Sequence, residues 1–324
     1  MTVEAASAEP LALIVAGPTA SGKSALAMVL AEELGGVVIN ADSMQVYREL
    51  RVLTARPTVE EEALVRHALY GVRPAAEAGS VAWWRGAALA EMKAARDAGR
   101  LPILCGGTGM YFLSLTQGLS EIPPPSEAAR AEARGKLAEQ GPAALHAELA
   151  EYDPRTAARL RPTDAQRLAR AWEVWRSTGR GISDWQEAAG EKAPWRFAAI
   201  RLDPPREDLR AAIATRFADM LQEGALEEVR ALLALALDPS LPAMRAHGVP
   251  ELSAHLRGEI SLCEASRRAG LVTGQYTKRQ ATWFRHHDLA ENAAMHTIHA
   301  RVAGRAQFSE RCIADLVNFI RSLT

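Results

Sequence analysis

Eight consecutive residues, Gly17-Pro18-Thr19-Ala20-Ser21-Gly22-Lys23-Ser24, match the pattern G-x-x-x-x-G-K-[ST] in full. At average residue usage a chain of this length meets that pattern by chance about once in a hundred, so a decorative Gly-rich turn is the weaker reading. In such a loop the backbone N–H groups and a helix N-terminus converge on one spot that suits a diphosphate. Lys23 adds a point charge there and Ser24 can ligate Mg2+. A second chemical candidate is Asp42, a carboxylate at the end of a short apolar run, which can take a proton from a nucleophile. The plain alternative for Asp42 is a loop cap or a helix N-cap. A nucleoside triphosphate in the loop calls for an apolar strand ending in Asp to hold the magnesium. The candidate strand here, residues 101–105, ends instead in Cys105-Gly106-Gly107, and Asp42 is the only acid placed suitably early.

These residues need a frame. Leu11–Ala16 reads as a buried strand, and residues 24–34 as a helix with Leu26, Val29, Leu30 and Leu34 at helical spacing. Strand, glycine-rich loop and helix in that order are the context a phosphate loop requires. Residues 37–40 give a second strand ending in Ala41-Asp42-Ser43, and residues 101–105 a third ending in Gly106-Gly107-Thr108-Gly109. A helix over residues 85–98 lies between them, closed by Gly99 as a left-handed cap. Alternating strands and helices imply an α/β fold with a parallel sheet. Ligands bind such sheets at the carboxyl ends of the strands, where all three loops fall. Past Pro123-Pro124-Pro125, residues 126–178 read as helices with no strand-like run. The expected organisation is a catalytic core of residues 1–120 and 195–324 with a helical domain, 121–194, inserted. A further strand at 197–202 ends at Asp203, and helices are expected from there to the C-terminus.

A composition of 48% hydrophobic and 24% charged residues is that of an ordinary globular protein and excludes disorder as the default. A formal net charge of −1 argues against holding nucleic acid by bulk charge, so any such contact must come from local basic patches. Cys105, Cys263 and Cys312 form no C-x-x-C pair or zinc spacing and read as reduced, small buried hydrophobes. Residues 1–10 lack a basic head and an apolar signal core, and the run Leu11–Ala16 is far too short to span a membrane. The expectation is a cytoplasmic monomer without membrane association.

Two basic patches stand out. On a helix over residues 164–177, Leu168, Ala171, Trp172 and Trp175 share one face, whereas Gln166, Arg167 and Arg170 share the other. The tryptophans therefore read as core. Residues 265–287 contain Arg267, Arg268, Lys278, Arg279 and Arg285 with no Asp or Glu, and can supply phosphate contacts. The alternative is a solvated helix face, with Tyr276, Trp283 and Phe284 packed inward.

Read together, the phosphate loop, Ala41-Asp42-Ser43-Met44-Gln45-Val46-Tyr47-Arg48, Thr54-Ala55-Arg56-Pro57, Gly106 to Tyr111, Asp164 to Arg170 and Lys278 to Arg285 resemble the tRNA dimethylallyltransferase (tRNA isopentenyltransferase) family. The resemblance spans nearly the whole chain. It implies a P-loop NTPase-like core with an inserted helical domain, Mg2+ as cofactor, and transfer of dimethylallyl from dimethylallyl diphosphate to N6 of adenosine 37, just 3′ of the anticodon. By matching positions it implies Asp42 as the base, Gly17 to Ser24 and Arg216 around the diphosphate, and Asp42, Ser43, Met44, Gln45, Thr108, Arg130, Gln166, Arg167, Leu168, Ala169 and Arg170 against the tRNA anticodon stem-loop. An exocyclic adenine amine is a poor nucleophile, so a base must take its proton as the bond forms. The base itself must leave its stack to reach a buried site. The chain departs from the family pattern at Gly248-Val249-Pro250-Glu251, where Gly-Tyr-Lys-Glu is usual, and at Gly274, where Arg is usual.

Two rival readings share part of this. A small-molecule kinase would bind ATP in the loop and use Asp42 to activate a hydroxyl. The helical insertion and the basic C-terminal stretch weigh against it. A non-catalytic RNA-binding module would need neither Lys23-Ser24 nor Asp42.

Overall fold

The computed structural model describes residues 9–187, 190–304 and 309–323. Residues 1–8, most of the segment read as lacking a leader, lie outside the described residues. Six strands form one parallel sheet: β1 (Leu11–Ala16), β2 (Gly36–Asn40), β3 (His67–Ala68), β4 (Leu101–Gly106), β5 (Arg196–Leu202) and β6 (Met295–Ile298), in the order β3-β2-β4-β1-β5-β6. All pairings are parallel, with Ala16 opposite both Gly106 and Arg201. Because β2, β4 and β1 are neighbours, the loops that leave their carboxyl ends emerge side by side.

Both faces of the sheet are covered at its centre, so β1, β2 and β4 read as near-continuous apolar runs rather than alternating ones. Ala12, Ile14 and Ala16 pack on one side with Trp84, Met92 and Phe112; Leu13 and Val15 pack on the other with Leu26, Leu30 and Ile320. The helices of this part begin with α1 (Lys23–Leu34), α2 (Val59–Leu64), α3 (Val81–Asp97) and α4 (Gly109–Thr116). α3 starts four residues before the predicted boundary because Ser80 caps it, its side chain accepting from Trp83 N–H. It does close at Gly99, with φ +67°.

The chain falls into two compact units, Met1–Thr116 with Ala193–Thr324 and Gln117–Lys192. The second unit holds α5 (Glu127–Tyr152), broken at Gly141 with φ 78° and ψ 172°, then α6 (Pro154–Ala157), α7 (Ala165–Thr178) and α8 (Ile182–Glu187). Its core gathers Leu145, Leu149, Leu168, Ala171 and Trp172, as the helical periodicity of α7 predicts. Past β5 the first unit continues as α9 (Arg206–Gln222), α10 (Ala225–Ala234), α11 (Val249–Leu256), α12 (Leu262–Arg285) and α13 (Glu310–Arg321).

Helices all the way from Asp203 is therefore wrong, since β6 interrupts them and pairs with β5. Met295-His296-Thr297-Ile298 is a partly exposed edge strand whose mixed polarity gives no apolar run to detect. The cysteines need correcting too: Cys105 is buried, but Cys263 and Cys312 lie exposed on helical surfaces. No helix among the described residues is long and apolar enough to cross a membrane.

Candidate active site

The phosphate loop runs from the end of β1 to Gly22, which caps α1 with φ 92° and no side-chain hydrogen bond to the helix. The first N–H groups of α1 are thereby left for an anion. A side chain at position 22 would overlap the Val302 carbonyl, so glycine is required twice over. The back of the loop is fastened from afar. Val302 N–H donates to Ser21 O at 2.9 Å, Arg301 Nε to Ala20 O at 3.0 Å, and Thr19 N–H to Gln280 Oε1 at 2.9 Å. Gly17 and Pro18 form the turn out of β1, with Ser21 N–H donating to Pro18 O at 3.2 Å. Ser21 Oγ is buried without a hydrogen-bond partner among the described residues.

Gly22, Lys23, Ser24, Arg56, Tyr70 and Arg216 all line a cavity of about 730 Å3. Burial pulls the Lys23 ammonium below its ordinary range, while the charge of Asp42 acts to hold it up and that of Arg216 lowers it further. Arg216, on α9, is lowered by burial and again supported by Asp42. Lys23, Arg216 and Asp42 thus feel one another, yet among the described residues none of the three is in a salt bridge. Two cations and one carboxylate leave an excess of positive charge, which suits a multiply charged anion.

Asp42 leaves the end of β2 under the control of Asn40. The buried Asn40 side chain accepts from Asp42 N–H at 2.8 Å and donates to Asp42 O and Leu69 O, each at 3.0 Å. One Asp42 carboxylate oxygen, Oδ1, accepts from Met44 N–H at 2.9 Å. Oδ2 has no hydrogen bond among the described residues. The loop-cap reading and the base reading of Asp42 are therefore compatible, because each occupies a different oxygen. Ser43 N–H donates to Thr108 Oγ1 at 2.9 Å and Thr108 N–H to Ala41 O at 3.1 Å, which ties the loops after β2 and β4 together. Gln45 spends its amide hydrogens on Thr54 O and Ala55 O, at 2.9 and 3.0 Å, leaving only its carbonyl oxygen for another partner.

The other expected tRNA contacts divide between the two units. In the helical unit, Arg167 is exposed beside Asp164, which caps α7. Arg130 and Arg170 both act on Glu173, whose carboxyl burial raises; burial also lowers Arg170. Gln166 is exposed and Ala169 partly so. Leu168 is 0% exposed, so its side chain belongs to the core and leaves only the backbone of this position for a tRNA contact. On α12, Lys278 and Arg279 are exposed. The rest of the predicted basic run is neutralised: Arg267 and Arg268 share Glu264 at 2.7 and 2.6 Å, and Arg285 grips Asp203 at 2.7 Å. Those acids stand just outside the run or far from it in sequence, so counting charges inside a window missed them. Phe284 is buried and Trp283 stacks on His287 at 4.1 Å, both packed as the alternative reading held.

Sequence reasoning passed over Asn40, Arg301 and Gln280. A polar residue ending an apolar strand two positions before Asp42 was a usable signal for Asn40, whereas nothing local marks Arg301.

A sequence model of the IPP transferase family matches residues 45–287, and one of the isopentenyl transferases matches residues 10–76. The chain is 62% identical over 315 residues to the tRNA dimethylallyltransferase of Granulibacter bethesdensis, covering 97% of this chain and 99% of that one. It is 60% identical to that of Gluconacetobacter diazotrophicus over 321 residues, 99% and 97% of the two chains. Among solved structures it resembles the full-length tRNA isopentenylpyrophosphate transferase of Bacillus halodurans, with a TM-score of 0.67 and 31% identity over 97% of this chain and 96% of that one.

Proposed function

Because the chain belongs to the tRNA dimethylallyltransferase family and is a transferase that moves a prenyl group onto tRNA, we propose that it joins the dimethylallyl group of dimethylallyl diphosphate to N6 of adenosine 37. The amine lone pair attacks the allylic carbon, the carbon–oxygen bond to the diphosphate breaks, and the diphosphate leaves with the electron pair. Asp42 accepts the N6 proton. The observation that carries this reading is the Asp42 carboxylate: one oxygen is fixed by Met44 N–H, the other is uncommitted, and its charge reaches Lys23 and Arg216 of the phosphate cavity. A base and an anion site are then neighbours, as a displacement with diphosphate as leaving group requires.

Gly17 to Ser24 and Arg216 hold the diphosphate. Lys23 and the loop N–H groups face charge that grows as the bond breaks, and donors already in place need no reorganisation to meet it. The donor set fits Mg2+, because Ser24, exposed at the start of α1, offers one hydroxyl oxygen beside the phosphate loop. Mg2+ keeps waters and takes phosphate oxygens where the protein offers few ligands. When bound it neutralises charge on the diphosphate.

Asp42, Ser43, Met44, Gln45 and Thr108 line the approach to the reacting amine. Arg130, Gln166, Arg167, Arg170, Lys278 and Arg279 contact the anticodon stem-loop, and the helical unit serves that purpose. The test is nucleoside mass spectrometry of tRNA incubated with enzyme, dimethylallyl diphosphate and Mg2+. A dimethylallyl adduct on adenosine 37 is expected. Phosphoryl transfer from ATP to a small molecule, with no adduct, would establish the kinase reading instead.

A further inference from the structure

Gln280 sits on α12 immediately after Lys278 and Arg279, but its side chain turns inward and is 5% exposed. Its Oε1 accepts from both Thr19 N–H, at 2.9 Å, and Thr19 Oγ1, at 3.2 Å, while its Nε2 donates to Gly107 O at 2.9 Å. The orientation of this amide is forced. A backbone N–H can only donate and a carbonyl can only accept, so the reversed amide would set donor against donor and acceptor against acceptor. Space is equally tight, since a Cβ at position 107 would overlap Gln280 Nε2. One buried side chain thus fastens the entrance of the phosphate loop, at Thr19, to the loop after β4, across sequence separations of 261 and 173 residues.

The obvious replacements fail at neutral pH. Asparagine is one methylene shorter and cannot span both loops from the same helix position. Glutamate has the reach but, when ionised, cannot donate to Gly107 O and carries charge beside an anion site. Leucine would leave a buried N–H and a buried carbonyl unpaired.

We propose that Gln280 is a positioning residue for prenyl transfer: by holding Thr19 against Gly107 it fixes the direction in which the phosphate loop meets the leaving diphosphate. Gln280 touches neither substrate and acts through Thr19, so its effect falls on the transfer step more than on affinity. The inference rests on the assignment of the phosphate loop as the donor site. Misplacement by about 1 Å at a reacting centre costs on the order of 10²-fold in rate, which bounds the expected effect.

The test measures single-turnover transfer, donor KM and tRNA dissociation constants for the full chain carrying Gln280→Asn, Thr19→Val, both together, and Gln280→Glu. Gln280→Asn should slow transfer by roughly 10- to 100-fold with a donor KM changed less than about fivefold and normal tRNA affinity. The double variant should be no slower than the slower single one, because the two side chains act as a unit. Gln280→Glu should be slow at pH 8 and recover relative to the unaltered protein as the pH falls, since a protonated carboxyl can donate to Gly107 O. Should Gln280→Asn fail to fold, that pH recovery alone decides. The proposal is overturned by a folded Gln280→Asn protein with normal transfer, by effects that multiply in the double variant, or by a Gln280→Glu defect independent of pH. Lys23→Ala run alongside separates the two levels: normal donor binding there sinks the donor-site assignment, whereas abolished donor binding with normal Gln280→Asn transfer sinks only this inference.

Discussion

The phosphate loop and the basic run on α12 both looked like anion sites in the sequence, and they fold to opposite electrostatic ends. Around the loop, Lys23, Arg216 and Asp42 influence one another but form no salt bridge among the described residues, so their charge is kept for a ligand. On α12, Arg267, Arg268 and Arg285 are consumed by Glu264 and Asp203, and Glu264 is held down to about 2 by the two arginines that hydrogen-bond it. The difference lies in who supplies the site. A phosphate loop works through its backbone and a helix end, which its spacing dictates. A basic helix works through long side chains that take whatever acid folding brings within reach.

The largest expected effect lies on the loop side. Asp42→Asn keeps the hydrogen bond from Met44 but cannot take the amine proton, so single-turnover transfer should slow by roughly 10²–10⁴-fold with little change in tRNA affinity. Transfer at the unaltered rate would move proton removal to another group. Next, Lys23→Ala removes a charged donor worth about 1.5–3 kcal/mol, so the dissociation constant of dimethylallyl diphosphate should rise roughly 10- to 100-fold while tRNA still binds. A titration showing the reverse would exchange the roles of the two regions.

The α12 side yields a smaller and more discriminating effect. Lys278→Ala with Arg279→Ala should weaken tRNA binding and reduce its salt slope by about one for each phosphate no longer neutralised. Arg267→Ala with Arg268→Ala should change affinity by less than about twofold, since both guanidiniums already serve Glu264. Equal weakening by the two pairs would erase the distinction between paired and unpaired cations.

The smallest effect concerns thiols. Burial pushes the Cys105 thiol from an ordinary 9.0 up to about 11, with Lys23 opposing the shift. A raised folded value means stability complete below about pH 9 and lost as pH climbs toward 11, because the unfolded thiol ionises first. Cys105→Ala should flatten that alkaline decline in urea titrations. In the native protein an alkylating reagent at pH 8 should label Cys263 and Cys312 and spare Cys105.

Legibility followed the range of the interactions. Leu11–Ala16, the loop and the strand ending at Asp42 were readable because apolar runs and glycine spacing are local signals. β6 was not, since its pairing with β5 depends on a partner about a hundred residues away and its own residues are of mixed polarity. Within the site, Asp42 and Lys23 announce themselves by type and position, whereas Asn40 and Gln280 matter through what they hold. Such residues carry no charge of their own, and what they hold is seen only in the folded chain. Arg216 entered by resemblance alone, and the cavity wall it shares with Lys23 supplies the physical reason.

The clasp of Arg301 and Val302 on the loop carbonyls also has a meaning in time. The hydrogen bond from Arg301 to Ala20 joins residues 281 positions apart. A ribosome adding roughly 5–20 residues per second produces the octapeptide early and its clasp on the order of 15–60 s later. A growing chain therefore displays the signature long before it owns the finished pocket, and it passes through most of its synthesis with the back of the loop unfastened.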